Sequence, residues 1–282
     1  MKMIARRVGE RARLLYLKPP WGGSSSAEVF GQRLAACTGA NSAREALMTP
    51  LPDDCVLMLD DVQLWWERSE HGGAVLDALG RFIQRSSGAG LIMLGVDDRP
   101  FHFMDRLYHL QEHILGVVAS RPLDAEDLQQ AVLSRHESTG LTLTVQGTPE
   151  AAMSDWAYAR LFTRLFRYTG GNVGDCLHAW VSHIESADAS GIHLRRPEMP
   201  DLEALDSLRP MQIALIVQCI LHGQLTRTRL ARITSADAAE MRAELAALIR
   251  LGVVVEHSGG VFGVNPFLEP HILRRFGELR YV

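Results

Sequence analysis

The chain has 282 residues, 47% of them apolar and 22% charged, with a formal net charge of −4 and a pI near 6.3. That composition is globular and long enough for two or three domains, and its charge balance excludes a globally basic surface built for nucleic acid or anionic lipid. The four cysteines, Cys37, Cys55, Cys176 and Cys219, form no C-x-x-C pair and stand beside no histidine at zinc-ligand spacing, so they read as small buried hydrophobes in a reducing compartment.

In chain order, residues 1–10 suggest the end of a helix. Arg13–Leu17 is a short apolar run stopped by Pro19-Pro20, the pattern of a strand. Residues 21–26 form a Gly/Ser loop, and helical spacing follows over 27–37. Cys55–Leu59 is continuously apolar, as in a strand buried on both faces. An amphipathic helix is predicted over 73–84, a second buried strand over 90–95, a helix over 101–110 and a further strand over 113–119. A helix over 124–137 begins at Asp124, a good N-cap after Pro122. Strands alternating with helices imply a parallel α/β sheet. Helices over 151–168 and 173–184 come next, split by Thr169-Gly170-Gly171-Asn172, and residues 186–209 read as a linker. The last third predicts three helices, the third capped by Ser235, then a hairpin around Ser258-Gly259-Gly260 and a closing helix over 266–279. Helix, helix, helix, hairpin is the order of a winged helix. The longest mostly apolar stretch, residues 211–221, is too short to span a bilayer, and no apolar stretch follows the basic N-terminus to make a signal peptide. A cytoplasmic protein with no membrane association is expected.

Val56-Leu-Met-Leu-Asp60-Asp61 carries the strongest chemical signal. A buried parallel strand delivers its last side chains to the carboxyl edge of the sheet, where α/β folds bind ligands. Of two acids there, the first can hold Mg²⁺ and the second can position an attacking water; a strand followed by an Asx turn gives the same pattern. Taken in order, Asp60-Asp61, the Leu91-Ile-Met-Leu-Gly95 strand ending Gly95-Val-Asp97-Asp98, the Pro122-Leu-Asp124 helix and the Gly170-Gly171-Asn172 turn resemble the AAA+ and STAND P-loop ATPases, including the origin-recognition, transposition-ATPase and NB-ARC branches. The resemblance implies a parallel-sheet core over 1–122, a helical lid over 123–187, a linker over 188–208 and a winged helix over 209–282. It implies ATP and Mg²⁺ as cofactors, with Asp60 as metal ligand, Asp61 positioning water, Arg106 as an arginine finger, and Asn172 with Gly171 lining the adenine side.

The departures from that pattern are equally plain. No G-x-x-x-x-G-K-[ST] occurs, and Gly22-Gly-Ser-Ser-Ser26 lacks the lysine of a phosphate-binding loop. The chain reads as starting just after that loop and lacking the core's first strand, which in the resembling folds lies between the strands at Leu91 and Ile114. Those two strands then pair directly, leave a gap, or accept another polypeptide. The expected function is the core of an ATP-dependent switch or assembly ATPase that binds and hydrolyses ATP inefficiently alone, with a protein partner or self-oligomer. A non-catalytic protein-interaction module and a DNA-binding regulator are the alternatives. Trp65-Trp66 is either a protein-contact anchor or core, and Arg106 either a finger or a surface residue. Residues 201–282 hold nine Arg against nine Asp or Glu, and the third helix offers Asp, Glu and Ala. Arg227, Arg229 and Arg232 are therefore the basic cluster on which DNA binding would rest.

Overall fold

A computed structural model of the chain describes residues 12–188, 191–198 and 203–278. The expected helix end over 1–10 lies outside them. Two compact units form: Met1–Ala119 with Pro210–Val264, and Ser120–Arg209 with Asn265–Val282.

In the first unit, strands β1 (Arg13–Leu17), β2 (Cys55–Leu59) and β3 (Leu91–Leu94) form a parallel sheet in the order β1-β2-β3. Arg13 registers with Cys55, and Val56 with Leu91. Every residue of β2 is buried, which is what its unbroken apolar run demands. β3, by contrast, is half-buried and begins at Leu91, 51% exposed. Helix α1 (Ala27–Thr38) starts at Ser26, whose hydroxyl accepts from the Val29 N–H; α2 (Ala43–Met48) is capped in the same way by Ser42. With α3 (Ala74–Arg85), they bury Phe30, Leu34, Val75, Leu79 and Phe82 with Leu57 and Leu59 in one core. Helix α4 (Asp98–Tyr108) follows β3.

The strand expected over 113–119 does not form. A 3-10 turn ends at His113, and residues 114–120 have no regular structure, with Leu115 and Val118 fully exposed. An apolar run becomes a strand only if a neighbour accepts its N–H and C=O groups. Among the described residues no strand lies beyond β3 to supply that ladder, so β3 and the Ile114 segment do not pair.

In the second unit, α5 (Ala125–Glu137) is capped by Asp124, α6 (Asp155–Thr169) by Ser154 and α7 (Val173–Ser182) by Asn172. They bury Leu128, Val132, Phe162, Leu165, Cys176 and Trp180, with the rings of Phe162 and Trp180 stacked 6.0 Å apart. This unit is not purely helical. Strands β4 (Thr142–Val145), β5 (Thr148–Pro149), β6 (Ile184–Ala187) and β7 (Gly191–Leu194) form a mixed sheet in the order β5-β4-β7-β6. The segment expected to be a linker thus contributes β7, which pairs parallel with β4 from Thr142↔Gly191 onward. Between the antiparallel β6 and β7, the Gly191 N–H donates to Asp188 Oδ1 at 3.1 Å, and composition alone does not separate a turn from a linker. The short α8 (Glu203–Asp206) follows.

Back in the first unit, α9 (Pro210–His222), β8 (Leu225–Thr226), α10 (Arg227–Thr234), α11 (Ala238–Arg250), β9 (Val254–His257) and β10 (Val261–Val264) follow in turn, and the strands form a sheet in the order β8-β10-β9. Ser235 does not cap α11. It takes a left-handed conformation closing α10, and Asp237 makes the cap, accepting from Ala239 and Glu240 N–H. Leu221 of α9 is buried in the same core as β1 and β2, so this helix packs on the α/β sheet. Helix α12 (Glu269–Glu278) belongs to the second unit, where the His271 and Tyr168 rings meet edge to face at 4.2 Å. No helix among the described residues is long and apolar enough to cross a membrane.

Candidate functional site

β2 ends at Leu59, and the next two residues, Asp60 and Asp61, emerge at the carboxyl edge of the parallel sheet. The edge is pinned by backbone: the Gly95 N–H donates to Leu59 O at 2.7 Å, and the Val62 N–H donates to Gly95 O at 2.9 Å. From β1, the Tyr16 hydroxyl donates to Asp60 Oδ2 at 2.9 Å. Asp61 adopts a left-handed backbone, φ 53° and ψ 48°, a conformation Asp tolerates better than most residues but one that costs about 1 kcal/mol or more. It turns the chain into a 3-10 turn, Val62–Trp65.

The buried Gln63 joins the carboxylates. Its Nε2 donates to Asp61 Oδ1 at 3.4 Å and to Asp97 Oδ2 at 3.2 Å, and its Oε1 accepts from the Asp97 N–H at 3.4 Å. Three acids, Asp60, Asp61 and Asp97, therefore interact at one sheet edge. Desolvation, then the Asp60 and Asp97 charges, raises Asp61 above the usual carboxylate range; desolvation, then Asp60, raises Asp97. Burial, then the Asp60 hydrogen bond and the two carboxylate charges, pushes Tyr16 up to about 12. Sequence reading found Asp60 and Asp61 and placed Asp97 after the neighbouring strand without giving it a role, while Tyr16 and Gln63 were missed. Tyr16 lies one strand away at the same height as Met58, a placement the β1–β2 register creates.

Oxygen donors of this kind suit a hard divalent cation. Among the described residues, however, no group of three or more His, Cys, Asp or Glu is close enough to enclose one. Mg²⁺ characteristically takes one or two carboxylates and fills its shell with water and phosphate oxygens. The donors present fit that open arrangement and not a closed protein cage.

The other expected site residues are placed differently. Arg106 is exposed in the last turn of α4 and takes no part in the contacts of the acidic edge. Gly171 and Asn172 lie in the second unit and carry structural duties there. The Asn172 side-chain oxygen accepts from Gly174 N–H at 2.8 Å and Asp175 N–H at 3.2 Å, starting α7. Gly171 has φ +87°, and a Cβ there would meet Leu123 O at 2.3 Å; its own carbonyl accepts from the Leu123 N–H at 2.9 Å.

A second charged cluster was not foreseen. Glu67, fully buried after Trp65 and Trp66, accepts from Arg229 Nε at 3.1 Å and Arg232 Nη2 at 2.6 Å, with a second bond from Arg232 Nε. Arg229 also donates to Gly22 O and Trp66 O, each at 2.6 Å. The Gly/Ser loop is thus a seat for a guanidinium. A Cβ on Gly23, at φ +74°, would come within 2.1 Å of Arg229 Nη1. Burial alone would raise the Glu67 carboxyl, but bonds from Arg232, Arg229 and Ser69 outweigh it and hold the carboxyl below its ordinary value. Arg227 faces Glu256 at 3.9 Å and lies over the Phe262 ring. The basic cluster that DNA binding required is therefore occupied by carboxylates. Trp65 and Trp66 are at most 1% exposed, so they serve the core; Trp66 packs on the His222 ring at 4.7 Å and Trp65 on Phe30. The one sequence signal for Glu67 was an acid closing a run of buried residues.

No protein-family model matches the chain, and no curated protein matches it in sequence. Solved structures do show likeness. Aeropyrum pernix ORC2, in ADPNP–ADP complexes, is 14% identical over 97% of this chain and 80% of its own, with a TM-score of 0.46. Cdc6p from Pyrobaculum aerophilum is 13% identical over 100% of this chain and 84% of its own, TM-score 0.37. The Thermotoga maritima RuvB Holliday junction branch migration motor is 12% identical over 100% and 95%, TM-score 0.28. These neighbours are AAA+ P-loop ATPases; at such identities and scores, the functional reading has to come from the site itself.

Proposed function

We propose that this chain is the core of an ATP-dependent molecular switch or assembly ATPase of the AAA+/STAND kind, poorly able to bind or hydrolyse ATP by itself. One observation carries the reading: paired carboxylates at the carboxyl edge of a parallel sheet, with Asp60 oriented by Tyr16. In this reading Asp60 is the Walker B acid that holds Mg²⁺ and Asp61 positions water. The bound Mg²⁺ would neutralise phosphate charge. The chain's own residues orient Asp60 through Tyr16 and tie Asp61 to Asp97 through Gln63. Without a phosphate-binding loop in residues 1–282, the three acids repel a triphosphate, so affinity is low.

The open outer side of β3 and the exposed apolar segment 114–118 support the expectation that the sheet takes a further strand between them. The terminal three helices and hairpin would then be a winged helix with a switch role: Arg229 and Arg232 hold it on the α/β core through Glu67. DNA reading loses support for the same reason. A non-catalytic interaction module remains the second reading, favoured by the open β3 side, although Trp65 and Trp66 are buried and offer it no anchor.

The test is calorimetry with Mg²⁺-ATP on residues 1–282 and on the protein with whatever upstream residues its gene encodes. Binding confined to the longer protein, and weakened at least tenfold by Asp60→Ala, supports the ATPase reading. Binding by neither overturns it and leaves the interaction module.

A further inference from the structure

The second unit contains a cleft of about 400 Å³ lined by Arg164, Arg167, Tyr168, Arg196, Pro197 and Glu198. That volume falls among small-molecule sites, which run about 300–1,000 Å³. Arg164 and Arg167 stand one turn apart on α6, and Arg196 arrives from the chain just after β7. Folding therefore brings a third arginine to the same cleft as a pair already close in sequence.

Among the described residues, Arg164, Arg167 and Arg196 make no ion pair, whereas Arg229 and Arg232 share Glu67 and Arg275 holds Asp206 at 2.7 Å. Glu198 is the one carboxylate in the lining against three guanidinium groups. Like charges at i and i+3 on a helix oppose each other, and two of these arginines are only half-exposed. The cleft is not an accident of loose packing. Tyr168 and Pro197 are buried, the Tyr168 hydroxyl donates to Phe267 O at 3.4 Å, and the Arg274 guanidinium donates to Arg167 O. Two bonds tie this wall to the C-terminal segment, at the Tyr168 hydroxyl and the Arg167 carbonyl, and the lining holds three arginines against one carboxylate.

We propose that this cleft binds a small phosphorylated ligand carrying two or more negative charges, gripped by the guanidinium forks of Arg164, Arg167 and Arg196. Planar forks match phosphate oxygens two at a time, and three of them suit a diphosphate better than a single carboxylate. A nucleic-acid strand offers the same oxygens, but a concave cleft of this size fits a compact ligand.

The probe is inorganic pyrophosphate, titrated calorimetrically into residues 1–282 with EDTA present, so that no metal-dependent binding at Asp60 and Asp61 contributes. One pyrophosphate per chain is expected, with affinity falling at least tenfold in Arg164→Ala, Arg167→Ala and Arg196→Ala while the unfolding midpoint holds. Arg81→Ala, in a separate cleft of about 370 Å³ in the first unit, should leave binding unchanged. If Arg196→Ala perturbs folding, Arg196→Lys keeps the charge, loses the fork and is expected to bind several-fold more weakly. No binding at millimolar pyrophosphate, or binding indifferent to all three arginines, overturns the proposal. So does capture of a single-stranded oligonucleotide without capture of pyrophosphate.

Discussion

Two charged clusters in the first unit differ in one respect that separates structure from chemistry. Around Glu67 opposite charges meet directly: one buried carboxylate accepts from two arginines, and backbone carbonyls take further N–H groups of Arg229. Around Asp60 three carboxylates share a sheet edge, and the groups bonded to them, Tyr16 and Gln63, are neutral. A compensated cluster has satisfied its own electrostatics and holds the fold together. A largely uncompensated one, where burial and like charges raise Asp61 and Asp97 and only Arg99 opposes at Asp97, gains by meeting a cation, and that makes it the better candidate for function.

The largest expected effect comes from breaking the compensated side. Glu67→Gln leaves Arg229, 4% exposed, buried without its counter-charge, and loss of one partner from a buried pair costs about 3–5 kcal/mol. Urea unfolding should show that loss; a change under about 1 kcal/mol would mean the cluster contributes little. Arg232→Ala should cost less, about 1 kcal/mol or below, because its side chain is 54% exposed and solvent already screens it.

Next is pH. His222, packed on Trp66 beside Arg229, is lowered from 6.5 to about 3 by burial and then by the Arg229 charge, with Arg68 acting the same way and Glu67 opposing. In the second unit, burial and then the Arg274 charge lower His271 from 6.5 to about 4. Both are neutral when folded and take up a proton when unfolded. Stability is therefore full above about pH 6.5 and falls as pH drops toward 4, by up to about 1.4 kcal/mol per pH unit for each histidine. Glu67 adds to this in the more acid range: its lowered carboxyl stabilises the fold above the unfolded value of 4.5, and that contribution is lost as pH falls through its folded value. Thermal melts from pH 7 to 4 check the direction, and a flat profile would contradict the buried neutral histidines.

Gly171→Ala probes the second unit, where a positive φ and a close carbonyl both oppose a side chain. A loss of about 1–3 kcal/mol is expected by denaturation. The smallest effect belongs to the uncompensated side: Asp61→Asn removes like-charge repulsion and should raise stability by about 0.5 kcal/mol while weakening any Mg²⁺-dependent binding. If it lowers stability instead, the Gln63 bond matters more than the repulsion.

Much of this was legible in the sequence because the signals were local. The continuous apolar run of β2 predicts burial on both faces, and Asp60-Asp61 follows it at the sheet edge in either representation. Asp124 is a cap by residue type and position, as found, whereas the capping role of Asn172 came only with the structure. What failed was non-local. Residues 114–118 look like a strand and are not one, because a strand is a property of a pair. The presumed linker pairs with β4 because Gly191 registers with Thr142. Arg229 and Arg232 look like a DNA-facing patch until Glu67, 162 residues away from Arg229, takes them up. The sequence by itself determined which segments are apolar, which of them are helical and which acids end β2, since those follow from neighbouring side chains and backbone. Only the tertiary structure decided which charges are neutralised and which remain open, because Coulomb energy depends on distance in space and on solvent exclusion, and neither is written along the chain.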